Sequence, residues 1–309
     1  FQIYVNMCTR FVTCESSVKE STFLFDYLIV ILKFHKYFVY LRFNNLTNYN
    51  MKIQLVSYKY NISGKKRIDL TASLFNDSKA DVIMFSGKTI FNDNELSLLQ
   101  SMIKNEKAFG IFEVQKCYVS YLLRINNALY TIKNGKIENL FSNQLFATSE
   151  DINNNIDLAR RLILELETRR KLVINGVCFT ILQCGENNIL ANKMTHGSDI
   201  NYAYFRFKEN KELDDRFTKI LETTDVFLNP IHTPMGNLGK MYVRKQFLSS
   251  SNKYYFSASN TGDPKINRFT KLESPNMIYG YYNGKRMKPI ETKYDDYGEY
   301  RIDLFEIDK

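Results

Sequence analysis

Cys184 joins a reactive side chain to a telling position. It ends the apolar run Val177-Cys178-Phe179-Thr180-Ile181-Leu182-Gln183 and precedes Gly185, Glu186 and the polar pair Asn187-Asn188. The pattern predicts a buried strand that stops at a thiol, with a turn behind it. A glycine there lets the backbone bend and another group approach closely, and nucleophiles are often held at such junctions. The chemistry on offer is attack by sulfur on an electrophilic carbon, which needs a thiolate and a neighbouring proton acceptor. The competing reading is an inert buried thiol, since free cysteine is among the most buried residue types. Glu186 either orients its neighbours and binds substrate or makes a local hydrogen bond to the turn. Asn187 is a second candidate for substrate binding.

The elements that must position this thiol follow from periodicity. Ile53 to Tyr60 reads as a strand and Lys66 to Lys79 as a helix, with Ile68, Leu70, Leu74 and Phe75 on its apolar side. Asp81 to Phe85 is a short, nearly all-apolar strand, as expected when both faces are covered. Asp93 or Asn94 caps the next helix, and Ala108 to Val114 returns as a strand. Asn134-Gly135, Asn175-Gly176 and Asn283-Gly284 each signal a hairpin, because both turn residues need positive φ. Ser149 caps a helix whose predicted buried stripe is Ile152, Ile156, Ala159, Ile163 and Leu166. Glu209 to Glu222 is a further helix, Asp225 to Asn229 a strand, Lys240 to Ser250 a helix and Tyr254 to Ser259 a strand. Short strands alternating with helices imply mixed sheets with helices outside, an α/β layered sandwich.

The chain has 309 residues, 44% of them hydrophobic and 14% aromatic, with only 5 Pro and 13 Gly, so it builds a sizeable core without a long disordered linker. Its net charge of +9 comes from scattered Lys and Arg beside Asp and Glu. The nearest approaches to basic clusters are Lys65-Lys66-Arg67 and Arg169-Arg170-Lys171, which read as solvated faces and argue against a nucleic-acid footprint. Cys8, Cys14, Cys117, Cys178 and Cys184 show no Cys-x-x-Cys spacing, and with three separated histidines they form no recognisable metal site. An odd cysteine count without a signal peptide points to reduced thiols and a cytoplasmic location. The apolar stretch Phe23 to Phe43 is interrupted by Asp26, Lys33, His35, Lys36 and Arg42, which argues against a membrane span. Met51 opens like the first strand of a domain, so residues 1–50 are read as an N-terminal extension, 51–260 as the domain, and 261–309 as a C-terminal extension that packs on a neighbouring subunit or forms a surface hairpin. No cofactor is expected.

The order of these pieces resembles the nitrilase, or carbon–nitrogen hydrolase, family. The matching pieces are the strand opening at Met51, Asp81 to Phe85, the hairpin into Ile181-Leu182-Gln183-Cys184-Gly185-Glu186, Asp225 to Pro230, and Tyr254 to Asn260, which is similar to the family's late strand ending in Ser-Asn. The resemblance implies a four-layer α-β-β-α sandwich of mixed sheets, subunits paired into a homodimer or larger homo-oligomer, and an amide-type small-molecule substrate. It also implies a Glu, a Lys and a Cys that form and hydrolyse a covalent intermediate. Cys184 matches the nucleophile. Gly87 in Phe85-Ser86-Gly87-Lys88 stands where the family places its Glu, and no Lys lies at the matching spot in Leu140 to Phe146.

Other residues are candidates to fill those roles. Glu113, flanked by Phe112 and Val114, lies near the end of a strand that in the family runs beside the active site, and desolvation would raise its pKa toward that of a base. His232, in Asn229-Pro230-Ile231-His232-Thr233-Pro234-Met235-Gly236, sits in a loop after a strand, where sites are often held. A Cys184–His232 pair is a conventional way to activate a thiol. Lys88 offers positive charge beside the vacant Glu position. For each, a purely structural role competes: a satisfied carboxylate, a loop histidine, an exposed lysine. Thr89 to Asn94 and Asn187 to Ile200 are read as loops able to close over a substrate, and His196 has no assigned chemistry. Three functions follow: a thiol hydrolase of non-peptide amide-type bonds, a catalytically silent module that binds a small ligand or protein, or a basic nucleic-acid-associated protein.

Overall fold

The computed structural model describes residues 30–34, 37–41, 50–115, 127–194, 201–234, 241–265 and 269–308. The chain divides into two units, Phe1–Asn48 and Tyr49–Lys309. In the first, β1 (Val30–Phe34) pairs antiparallel with β2 (Tyr37–Leu41). Among the described residues no helix is long and apolar enough to cross a membrane.

The second unit is a mixed α/β fold. Its first half runs β3 (Met51–Tyr58), α1 (Gly64–Asn76), β4 (Val82–Phe85), α2 (Leu96–Met102), β5 (Phe109–Gln115), β6 (Asn127–Lys133), β7 (Lys136–Asn143), α3 (Ser149–Ile152) and α4 (Ile156–Glu167). The second half runs β8 (Lys171–Ile174), β9 (Val177–Ile181), β10 (Leu190–Met194), β11 (Asn201–Phe205), α5 (Lys211–Thr223), β12 (Val226–Ile231), α6 (Met241–Leu248), β13 (Tyr254–Ser259), β14 (Ile278–Tyr282), β15 (Lys285–Arg286), β16 (Glu291–Tyr294) and β17 (Tyr300–Ile307). A seven-stranded sheet has the order β16-β17-β3-β4-β5-β6-β7, and a six-stranded sheet has the order β15-β14-β13-β12-β9-β8. In the first, β3, β4 and β5 are parallel neighbours; in the second, β9, β12 and β13 are.

Alternation along the strands builds the layers, because successive side chains point to opposite faces. In β3, Met51, Ile53 and Leu55 pack with Phe179, Ile181, Leu228 and Phe256 of the second sheet, whereas Val56 and Tyr58 pack with Ile68 and Phe75 of α1. On the far side of the second sheet, Phe227 and Tyr255 pack with Leu162 and Leu166 of α4 and Phe217 of α5. Pro230 sits inside a central strand, where it would ordinarily break the ladder. It is tolerated because β9 pairs with β12 only from Val226 to Leu228.

All three predicted Asn-Gly hairpins form, with positive φ at Asn134, Gly135, Asn175, Gly176, Asn283 and Gly284. Several local expectations give way. Asn92, not Asp93 or Asn94, caps the turn before α2, and its side chain accepts from the Asn94 N–H. Thr148, not Ser149, caps α3 in a capping box with Asp151. Asn155 then caps a separate helix, which rotates Ile156 out of the stripe to 42% exposure and puts Leu162 in it. Asn187 to Ile200, read as a loop, contains a 3-10 turn and the strand β10, which pairs with β11; His196 lies outside the described residues. Thr89 and Ile90 are buried, and Ile90 bridges to Val114, so that end of the Thr89–Asn94 segment is fixed. Residues 261–309 are not appended to a finished domain: β14 pairs with β13, and β17 pairs with β3 along its whole length, so this segment completes both sheets.

Candidate active site

The C-terminal ends of the parallel strands are where open α/β sheets place their sites, and here those ends meet from both sheets. The Gly87 N–H after β4 donates to the Ile231 carbonyl at the end of β12 (3.0 Å), which joins the two sheets. Around that junction lie Glu113 from β5, Cys184 just after β9 and His232 just after β12. The structure brings these three predicted residues together. His232 Nε2 lies 2.6 Å from Glu113 Oε2. The Cys184 side chain lies close enough to the same imidazole for the two groups to interact electrostatically.

The backbone of Cys184 explains its presentation. Its φ is 35°, in the left-handed region, which costs a non-glycine residue about 1–3 kcal/mol. The sequence assigns the bend to Gly185, but the positive φ falls on the cysteine itself. Gly185 is needed for space instead. A Cβ there would stand 1.8 Å from the Ala147 carbonyl oxygen, so only glycine admits the chain that passes beside it. Asn229 holds the strained turn from below. Its Nδ2 donates to the carbonyls of Leu182 (2.5 Å) and Cys184 (3.3 Å). Cys184 is partly exposed, not sealed in the core.

Gly87 explains how His232 reaches the site. A Cβ at this position would lie 2.2 Å from His232 Cδ2 and 3.0 Å from Glu113 Oε2. The position that the family resemblance gives to a carboxylate is therefore the space that the imidazole edge uses. Glu113 is fully buried, and Gln183 Nε2 donates to its Oε1 (2.9 Å) while the Lys88 N–H donates to its Oε2 (3.1 Å). Desolvation alone would raise its pKa, as the sequence suggests. His232, Gln183 and Lys88 outweigh it and hold the carboxyl below the ordinary 4.5. Glu113 is thus an ionised partner of the imidazole and not a base with a raised pKa. For His232 burial pulls downward, but the neighbouring Cys184 and Glu113, with the hydrogen bond to Glu113, hold it up to about 10. Its side chain is 12% exposed, so the pair is weakly screened by solvent.

The remaining candidates take supporting places. Lys88, with φ 53°, contributes its backbone N–H to Glu113 and its carbonyl to Arg67. Glu186 is fully buried, accepts from the Leu145 (2.7 Å) and Gln183 (2.8 Å) N–H groups and is ion-paired with Arg170, so it braces the thiol turn and is closed to substrate. Asn187 is also fully buried, with Nδ2 donating to Asn229 Oδ1 (3.0 Å) and the Tyr255 hydroxyl (2.9 Å). It is a strut under the turn. Near the expected family lysine, Gln144 accepts from Asn127 Nδ2 (3.1 Å) and donates to the Phe146 carbonyl (2.9 Å).

Sequence reasoning passed over Gln183, Asn229, Arg67 and Arg170. Arg67 and Arg170, each in a run read as a solvated face, are both buried. The signal for Arg67 was its helical spacing from Thr71 and Phe75, which are buried on the same face of α1.

No protein-family model and no curated protein matches this chain. Among solved structures it is similar to the glutamine-dependent NAD+ synthetase from Acinetobacter baumannii in complex with adenosine diphosphate, at 12% identity and a TM-score of 0.47, over 84% of this chain and 46% of that one. It is also similar to a glutamine-dependent NAD+ synthetase from Cytophaga hutchinsonii, at 11% identity and a TM-score of 0.44, over 84% of this chain and 43% of that one. The chain spans less than half the length of either.

Proposed function

We propose that this protein is a divergent nitrilase-like hydrolase that cleaves a non-peptide amide-type carbon–nitrogen bond through Cys184, on a four-layer α-β-β-α sandwich. The observation that carries the reading is the Glu113–His232–Cys184 line, with Gly87 leaving room for the imidazole. The Cys184 sulfur attacks the carbonyl carbon, a C–S bond forms and the π electrons move to oxygen. As the C–N bond breaks, His232 protonates the departing nitrogen. His232 then takes a proton from water, which attacks the thioester; the C–S bond breaks and the acid leaves. Glu113 keeps the imidazole oriented and stabilises its charged form, the role of the third member of such a line.

The experiment is intact-mass analysis of the protein mixed with a panel of primary amides and nitriles, with Cys184→Ala beside it. An acyl adduct and product release are expected from the wild type and neither from Cys184→Ala; turnover that persists in Cys184→Ala ends the proposal. The pH response has a defined sign. His232 is raised from 6.5, so its contribution to stability is complete below pH 6.5 and is lost as pH climbs toward about 10. Glu113 is depressed from 4.5, so its contribution is complete above pH 4.5 and is lost as pH falls further. Thermal stability is therefore expected to be greatest between those two values, and His232→Ala should flatten the alkaline side.

A second reading, a silent module that binds a ligand or partner, is favoured by the neutral amides Asn143 and Gln144 near the family lysine position. It predicts binding that survives Cys184→Ala. Pairing of subunits and a cytoplasmic location remain part of the proposal, each testable by light scattering and by fractionation.

A further inference from the structure

Asn260 stands one residue beyond β13, where both sheets converge on the site. Its side-chain amide is buried, and every polar edge is used. Oδ1 accepts from Ser86 Oγ (2.7 Å) and Arg67 Nη2 (2.8 Å). Nδ2 donates to the Gly87 carbonyl (2.7 Å) and the His232 carbonyl (3.2 Å). We propose that Asn260 is a positioning residue that aims the His232 imidazole at the Cys184 sulfur by clamping the Gly87 and His232 backbones to one point. The inference rests on the Cys184–His232 reading given above and extends it to what sets that pair.

The two clamped segments are the ones whose placement matters. Gly87 is the residue whose missing side chain admits the imidazole edge, so a small displacement of its backbone closes or widens that space. The next peptide N–H, that of Lys88, holds Glu113 Oε2, so the same segment also places the carboxylate. On the other side, the clamped carbonyl belongs to His232 itself. An amide is required because two partners are donors and two are acceptors; a carboxylate of the same shape would face two carbonyl oxygens with no hydrogen to offer. Asn260 is in turn oriented by Arg67, which also binds the Thr89 carbonyl (2.9 Å) and the Lys88 carbonyl (3.2 Å) along the same segment. The effect of Asn260 on Cys184 thus runs through His232.

The chain contains three histidines, His35, His196 and His232, so the His232 imidazole can be followed by NMR and assigned with His232→Ala. In the wild type its titration midpoint is expected well above 6.5. In Asn260→Ala and Asn260→Leu the midpoint falls back toward 6.5, and iodoacetamide labelling of Cys184, read by peptide mass, slows by up to about a hundredfold, the cost of misplacing a reacting group by about 1 Å. Cooperative thermal unfolding identifies variants that still fold. Arg67→Lys, which loses the Nη2 hydrogen bond to Asn260 Oδ1, is the milder variant and should move both readouts the same way by less. Folded variants with an unmoved midpoint and unchanged labelling would overturn the role of Asn260. A wild-type midpoint near 6.5 would instead remove the Cys184–His232–Glu113 reading beneath it.

Discussion

Arg67 and Arg170 are both buried, both belong to short basic runs, and both brace the site, yet they are accommodated in opposite ways. Arg170 meets a full countercharge. It is ion-paired with Glu186, and it donates to Ser142 Oγ (2.6 Å) and the Asn143 carbonyl (2.7 Å). Among the described residues, Arg67 meets only neutral partners: the carbonyls of Ile62, Lys88 and Thr89, the Asn260 amide, and the rings of Tyr58 and Phe91 at 4.1 and 5.3 Å. Desolvation without a carboxylate lowers the Arg67 pKa to about 10. The difference shows which support is an ion pair that neither partner can leave, and which is a hydrogen-bonding hub.

That contrast sets the order of effects. The largest belongs to Arg170→Gln, which leaves the Glu186 carboxylate buried without its charge partner. Stranding a buried charge costs about 3–5 kcal/mol. Desolvation already pushes the Glu186 pKa up even with Arg170 present, so the variant should relieve the cost by binding a proton. Adding Glu186→Gln should restore part of the lost stability in denaturant titrations. A single variant as stable as the wild type would erase the distinction between the two arginines. Arg67→Gln strands neutral acceptors instead, at about 1–3 kcal/mol for an acceptor left buried without a partner, and Glu113→Gln should give no rescue because no charge is left behind.

The same arginines mark the limit of what the sequence conveyed. Hairpins were legible because Asn-Gly demands a conformation few other pairs adopt, and the apolar strands Val82–Phe85 and Val177–Ile181 were legible because both faces are covered. Cys184, Glu113 and His232 were legible because each is a chemically capable residue at a strand end. What was hidden was partnership across long separations. Glu113 reads as an acid with a raised pKa until a histidine 119 positions away is placed beside it. Arg67 reads as exposed until Asn260, 193 positions away, takes its guanidinium. The role of Gly87 is invisible in sequence because it consists of absent atoms. The segment 261–309 read as an appendage because its strands pair with β3 and β13, which lie far earlier in the chain.

The smallest effect tests the contrast from within one run. Lys65 lies two residues before Arg67 and pairs with Asp69 at 2.6 Å, but the two side chains are 74% and 40% exposed. An exposed pair of this kind is worth about 0.2–0.5 kcal/mol, with lysine preceding the acid being the weaker order. A cation in the first turn of α1 also opposes the helix dipole. Lys65→Gln should therefore change stability by less than about 0.5 kcal/mol in either direction, and the difference between its urea midpoint and that of the wild type should shrink as salt is added. A loss comparable to that of Arg67→Gln would mean that the run acts as a unit and that the burial of its arginine alone does not explain its role.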